Sequence, residues 1–163
     1  MRKLVYWAAS FLLLQACNKS TTSLPPGIQF KIDGVQVQIT GGVDSTNQDP
    51  VTGYYYGCYA TKYSGSTFYT FIGENKNYSI LLGVETQQGS LSTITYSGGV
   101  VDVGFIINDT TFGINHNGDE MSITISRYSN GTVDGTFSGT ISDRDSTQKN
   151  ITQGQFSNLK VLK

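Results

Sequence analysis

The chain has 163 residues and a formal charge of −1, with eleven Lys and Arg against twelve Asp and Glu. Its cations are thinly spread, which disfavours nucleic acid as a partner, since neutralising phosphates takes clustered positive charge. Two cysteines and one histidine fall short of the four ligands of a structural zinc site and of a multi-disulfide framework.

Residues 1–16 read as a signal peptide. Arg2 and Lys3 precede an apolar run from Leu4 to Leu14, and the small residue Ala16 stands immediately before Cys17. The run is far short of the roughly 18–20 residues that a membrane-spanning helix needs. Leu14-Gln15-Ala16-Cys17 resembles the lipobox of bacterial lipoproteins. That resemblance implies a lipid anchor on the Cys17 thiol and cleavage before it. Two or more acyl chains hold a protein on a bilayer where one binds only marginally. With the first 16 of 163 residues removed, 147 remain, carrying nine basic and twelve acidic residues. That is enough for one domain with a sizeable core.

Residues 17–27 form a lipidated flexible tether, Ser20-Thr21-Thr22-Ser23-Leu24 ending in Pro25-Pro26-Gly27. Residues 28–163 then read as a single all-β domain. Ile28, Phe30 and Ile32 alternate with polar residues, Asp33-Gly34 marks a hairpin turn, and Val35, Val37 and Ile39 alternate again. Thr40–Pro50 is a connecting loop. Further strands are expected over Tyr54–Tyr63, Thr67–Ile72, Tyr78–Val84, Leu91–Tyr96, Val101–Ile107, Met121–Ser126, Thr132–Ile141 and Ile151–Val161. In Thr132–Ile141, Val133, Phe137 and Ile141 share a face with Gly135 and Gly139 between them. The last strand loses its period between Phe156 and Leu159, which indicates a bulge. No stretch after the signal has helical period. These features predict an antiparallel β-sandwich or barrel-like domain of about nine or ten strands.

The search for chemistry is brief. His116 stands in the turn-like run Asn115–Glu120 without a nucleophile elbow. Asn115, Asn117, Asp119 and Glu120 supply oxygen ligands around Gly118 but do not match a calcium loop. No pair of carboxylates stands out by spacing. The expectation is therefore a non-enzymatic protein with no catalytic residue, metal or cofactor. Cys58 lies in an aromatic strand without a neighbouring cation to activate it, and reads as a small buried hydrophobe.

Recognition, if encoded anywhere, lies in Tyr54–Tyr63, which holds five of the ten tyrosines. As a strand it places Tyr54, Tyr56, Cys58 and Ala60 on one face, tapering as a core face does. Tyr55, Tyr59 and Tyr63 fall on the other face and are the candidate ligand-binding residues. Aromatics on a rigid sheet can stack sugar rings or a partner's side chains, although cross-strand packing alone also explains them.

The closing strands, Val133-Asp134-Gly135-Thr136-Phe137-Ser138-Gly139 and Ile151-Thr152-Gln153-Gly154-Gln155-Phe156, with Phe30-Lys31-Ile32-Asp33-Gly34 near the start, resemble a group of uncharacterised lipoproteins of the Bacteroidota. That resemblance implies a β-sandwich-like fold and an outer-membrane lipid anchor, and it transfers no activity. Asn18-Lys19-Ser20-Thr21-Thr22 lacks the acidic residues that follow the anchor in surface-displayed lipoproteins of this phylum, so the periplasmic face is expected. Asp44-Ser45-Thr46, Asp109-Thr110-Thr111 and Asp145-Ser146-Thr147 match the phylum's glycosylation triplet. The functional expectation is a membrane-anchored accessory module binding a glycan or an envelope protein, or else a structural lipoprotein within an envelope complex.

Overall fold

The computed structural model describes residues 25–40, 55–87, 90–114 and 119–162. Cys17 and its signal, most of the Thr40–Pro50 loop, Tyr54 and His116 lie outside them, as do Asn115, Asn117 and the triplet at Asp44.

The expected all-β domain is what forms. Eleven strands are described: β1 (Gly27–Ile32), β2 (Val35–Ile39), β3 (Tyr55–Tyr63), β4 (Ser66–Glu74), β5 (Tyr78–Thr86), β6 (Thr95–Ser97), β7 (Val101–Ile107), β8 (Thr110–Gly113), β9 (Glu120–Ser129), β10 (Thr132–Ser142) and β11 (Gln148–Leu162). A 3-10 turn at Gly98–Val100 links β6 to β7. The strand that periodicity overlooked is β8, whose four residues are too short for an alternating pattern to register. Conversely, of the expected strand Leu91–Tyr96 only Thr95 and Tyr96 fall within a strand, β6.

Hydrogen bonding joins all eleven strands into one sheet, in the order β2-β1-β11-β3-β4-β5-β7-β8-β10-β9-β6, and the β10–β11 pairing closes it into a ring. Across the ring two layers face each other, one of β2-β1-β11-β10-β9-β6 and the other of β3-β4-β5-β7-β8. They join at two narrow corners. Ser142 of β10 pairs with Gly113 of β8, and Val161 and Leu162 of β11 pair with Cys58 and Tyr59 of β3. The second corner is parallel, whereas the sequence pattern suggested antiparallel pairing throughout. Because β10 and β11 are antiparallel, the corners at their C-terminal ends lie at opposite ends of the pair.

The layers cross steeply. Along β4, a Cβ on Gly73 would lie 3.0 Å from Ile28 of β1, Phe71 stacks on Phe156 of β11 with ring centroids 4.6 Å apart, and Tyr69 meets Tyr128 of β9 at 6.2 Å. Along β1, Ile28 meets β4, whereas Phe30 meets Tyr78 of β5 and Phe105 of β7. β4 and β1 thus each pass over successive strands of the facing layer, as strands do in orthogonal sheet packing.

Alternation explains the burial. In β4 every second residue from Thr67 to Gly73 is buried, and Met121, Ile123 and Ile125 of β9 likewise point inward. Val133, Phe137 and Ile141 are buried on one face of β10, as expected.

The bulge anticipated between Phe156 and Leu159 is present. Val133 pairs with Leu159 and Gly135 with Phe156, so two steps on β10 match three on β11, and Asn158 has φ +50°. A second bulge, with Gln153 at φ +52°, lies between Ile151 and Gly154. Together they bend β11 so that its far end can leave the first layer and reach β3.

Polar clasps hold this geometry. At the Asn158 bulge, Arg127 Nε donates to one Asp134 carboxylate oxygen and the Asn158 backbone N–H to the other at 2.7 Å. Arg127 Nη2 also donates to Asn158 Oδ1 at 2.6 Å. At the β1–β2 turn, Asp33 accepts from the Asn150 backbone N–H at 2.9 Å and from Lys149 Nζ at 2.7 Å. These bonds hold the Asp33 carboxyl below the usual carboxylate range.

Candidate functional site

Strand β3 positions the tyrosines. Its inward residues are those the tapering face predicted: Tyr56 and Cys58 are buried and Ala60 packs against the core. Burial pushes the Cys58 thiol up to about 12, so it remains protonated and unreactive near neutral pH.

Tyr59 alternates with these residues and is half-buried on the outer side of the second layer, paired with Thr70 of β4. Tyr55 and Tyr63 hold their places in the β3 ladder opposite Glu74 and Ser66, and their side chains lie outside the described part of the structure.

Around Tyr59 the outer face of the second layer is unusually apolar. Phe68, Ile72 and Leu81 are half-buried there, and Ile106 is 45% exposed. The ring of Phe68 occupies the space beside Gly83, where an added Cβ would collide with it. Ile72 and Leu81 are direct cross-strand partners, and the same row continues through Gly104 of β7 to Gly113 of β8.

The first layer's outer face differs in kind. Thr95, Thr124, Thr136, Gln155, Gln29 and Gln38 stand opposite one another in a single row across all six strands. The Thr95 and Thr124 hydroxyls are 2.8 Å apart, and Gln29 Nε2 donates to Gln155 Oε1 at 3.1 Å. One side of the domain is therefore finished for water and the other is half apolar.

At the Gly104 and Gly113 end, the apolar face adjoins a cleft of about 700 Å³. Its walls are β7 and β8 on one side and the start of β9 with the Gly98–Val100 turn on the other. Val103, Phe112 and Met121 form a buried apolar floor, and Ile114 at the rim is 42% exposed. Asp102, Asp119 and Glu120 line the cleft, and among the described residues no Lys or Arg does. Asp119 is 7% exposed and accepts a hydrogen bond from Ser142 Oγ at 2.7 Å, which fixes it at the corner between the layers.

Sequence reasoning did not find this cleft. It assembles from four separate stretches, and its only local signal is glycine. Gly104 interrupts Val101–Ile107 although nothing but Leu81 Cβ, at 4.0 Å, would touch a side chain there, and Gly99 has open space around it. Packing does not require glycine at either position, and its absence of a side chain keeps the cleft open.

Of the calcium-like run, Asp119 and Glu120 fall in the cleft, while Asn115 and Asn117 lie outside the described residues. Among the described residues no three His, Cys, Asp or Glu side chains converge on one point, and no helix is long and apolar enough to cross a membrane. Comparison with protein-family models, with curated proteins and with solved structures gave no match. Fold and site thus define an all-β domain built on one ring-closed sheet, with one half-apolar outer face and an adjoining cleft.

Proposed function

We propose that this chain is a lipid-anchored lipoprotein of the bacterial outer membrane, held at the periplasmic face through Cys17. In this reading it is a non-enzymatic binding or accessory module that takes a glycan or an envelope protein as ligand. The observation that carries the binding role is the outer face of the second layer, where Tyr59, Phe68, Ile72, Leu81 and Ile106 break the polar finish expected of a solvated sheet. The anchor rests on the Leu14-Gln15-Ala16-Cys17 motif, and the compartment on the resemblance to Bacteroidota lipoproteins. The aliphatic share of the face favours the alternative of an assembly lipoprotein docked on an envelope complex, because Ile and Leu pack against protein where sugar rings want aromatics.

Two measurements test the proposal. Cys17→Ser should abolish acyl labelling and leave an uncut or soluble precursor; persistent labelling refutes the anchor. Tyr55→Ala with Tyr59→Ala should abolish affinity for a soluble carbohydrate while circular dichroism stays native. Wild-type affinity in the double variant refutes the tyrosine-face version. If no carbohydrate binds and a defined envelope complex co-purifies from detergent, the assembly reading replaces it.

A further inference from the structure

We infer that the cleft between β7–β8 and the start of β9 receives an extended, lysine- or arginine-bearing peptide segment of an envelope partner. This deepens the binding reading above and rests on it.

Shape comes first. A volume of about 700 Å³ is typical of ligand sites, which run to roughly 300–1,000 Å³. The floor is apolar, so an occupant gains by burying aliphatic side chains.

The walls offer backbone. Among the described residues, β8 is paired with β7 along its length but on its other edge only at Gly113, to Ser142. The two-residue Asn108-Asp109 turn puts Ile107 and Thr110 in a hydrogen-bonded pair, so the peptide groups of Thr111 point away from β7, toward the unpaired edge. Thr111 lines the cleft. A segment entering here can add to the β8 edge by main-chain hydrogen bonds, the usual economy of peptide recognition by sheets.

Charge then selects the segment. Asp102 and Glu120 are exposed along the cleft, and among the described residues that line it there is no Lys or Arg. Asp109 and Asp145 stand at the neighbouring hollow, which shares Thr111, with Arg144 as the one cation among its described lining residues. Basic side chains alternating with aliphatic ones complement both the exposed Asp102 and Glu120 at the rim and the apolar floor.

The glycines supply a test that separates the groove from its charge. Gly104→Val places a β-branched residue in a strand with room for it, so the fold is retained while cleft space is filled. Asp102→Asn with Glu120→Gln removes two exposed charges and leaves the shape intact.

The assay is fluorescence anisotropy of the full chain in detergent with a short labelled peptide alternating lysine and valine, and with its glutamate–valine counterpart. The basic peptide should bind at least about tenfold more tightly than the acidic one at roughly 0.1 M salt. Both variants should weaken it by about tenfold or more. Equal weak binding of the two peptides overturns the inference. So does loss in the charge variant with full binding in Gly104→Val, which would mean diffuse surface attraction. A neutral oligosaccharide blocked by Gly104→Val but indifferent to the charge variant also overturns it. Calcium alone binding at the carboxylates and excluding the peptide does the same. These failures leave the proposal for the Tyr59 face standing, because its readouts involve neither variant.

Discussion

Replacing Phe156 by alanine tests the account of the core most directly. Phe156 is fully buried, stacked on Phe71 across the layers at 4.6 Å and on Phe137 at 6.4 Å. Its ring also covers Gly135 of the adjacent strand, where an added Cβ would strike it. Phe→Ala substitutions in cores cost about 3–5 kcal/mol, rising with the volume of the cavity that remains. Here the cavity cannot collapse easily. Gly135 has no side chain to move inward, and Phe71 and Phe137 are pinned by their own strands. The loss should therefore fall near the upper end, about 4–5 kcal/mol, a large share of the 5–15 kcal/mol typical of a domain. At roughly 3–5 °C per kcal/mol for a domain of this size, the midpoint should drop by about 12–25 °C. Urea unfolding followed by far-ultraviolet circular dichroism measures it, with Phe156→Leu as a control expected to lose much less. A double-mutant cycle with Phe71→Ala should show coupling of about 0.5–1.5 kcal/mol from the stacked pair. A loss below about 2 kcal/mol for Phe156→Ala would refute the claim that this contact centres the packing between layers.

Two further outcomes follow from the polar groups. Burial raises the Asp134 carboxyl, but the bonds from Arg127 and from the Asn158 backbone outweigh it and hold the carboxyl below its ordinary value. A depressed carboxyl contributes stability that is present above its unfolded pKa and lost as pH falls through its folded one. Asp134→Asn should therefore lower the unfolding midpoint at pH 7, with the gap to wild type closing in acid; a gap constant from neutral to strongly acidic pH refutes this. Cys58, with its thiol at about 12 and no exposed surface, should resist maleimide at pH 7 in the folded chain and react in denaturant. Rapid labelling of the native protein would show that the β3 core face opens.

Much of this architecture is legible along the chain because a strand's alternation is a local property. Ile28–Ile32, Thr67–Ile72 and Met121–Ser126 announce their inward residues in any context where one face meets a core. The same holds for Tyr56 and Cys58, whose burial follows from the taper of their face, and for the bulge at Asn158, visible as a lost beat between Phe156 and Leu159. Turn chemistry was equally readable at Asp33-Gly34, where both residues take positive φ.

What alternation cannot carry is partnership. Nothing in the run Asn158–Leu162 says that its end leaves β10 to pair in parallel with Cys58 and Tyr59, because register between distant strands is settled by the packing of the whole core. The four residues of β8 pass unnoticed for the same reason: they become a strand only once β7 lies beside them. The outer faces follow this rule as well. Periodicity separates inward from outward residues, but that the outward side of one layer is a threonine and glutamine row and the other half apolar emerges only when strands are set side by side. The cleft is the extreme case, since its floor and rim come from stretches meeting where the two crossed layers part. The sequence by itself determined the strand content, the inward residues, the turns and the expectation of an anchor at Cys17. The tertiary structure alone decided the crossing of the layers, the parallel corner and the cleft, because those depend on contacts between residues remote in the chain.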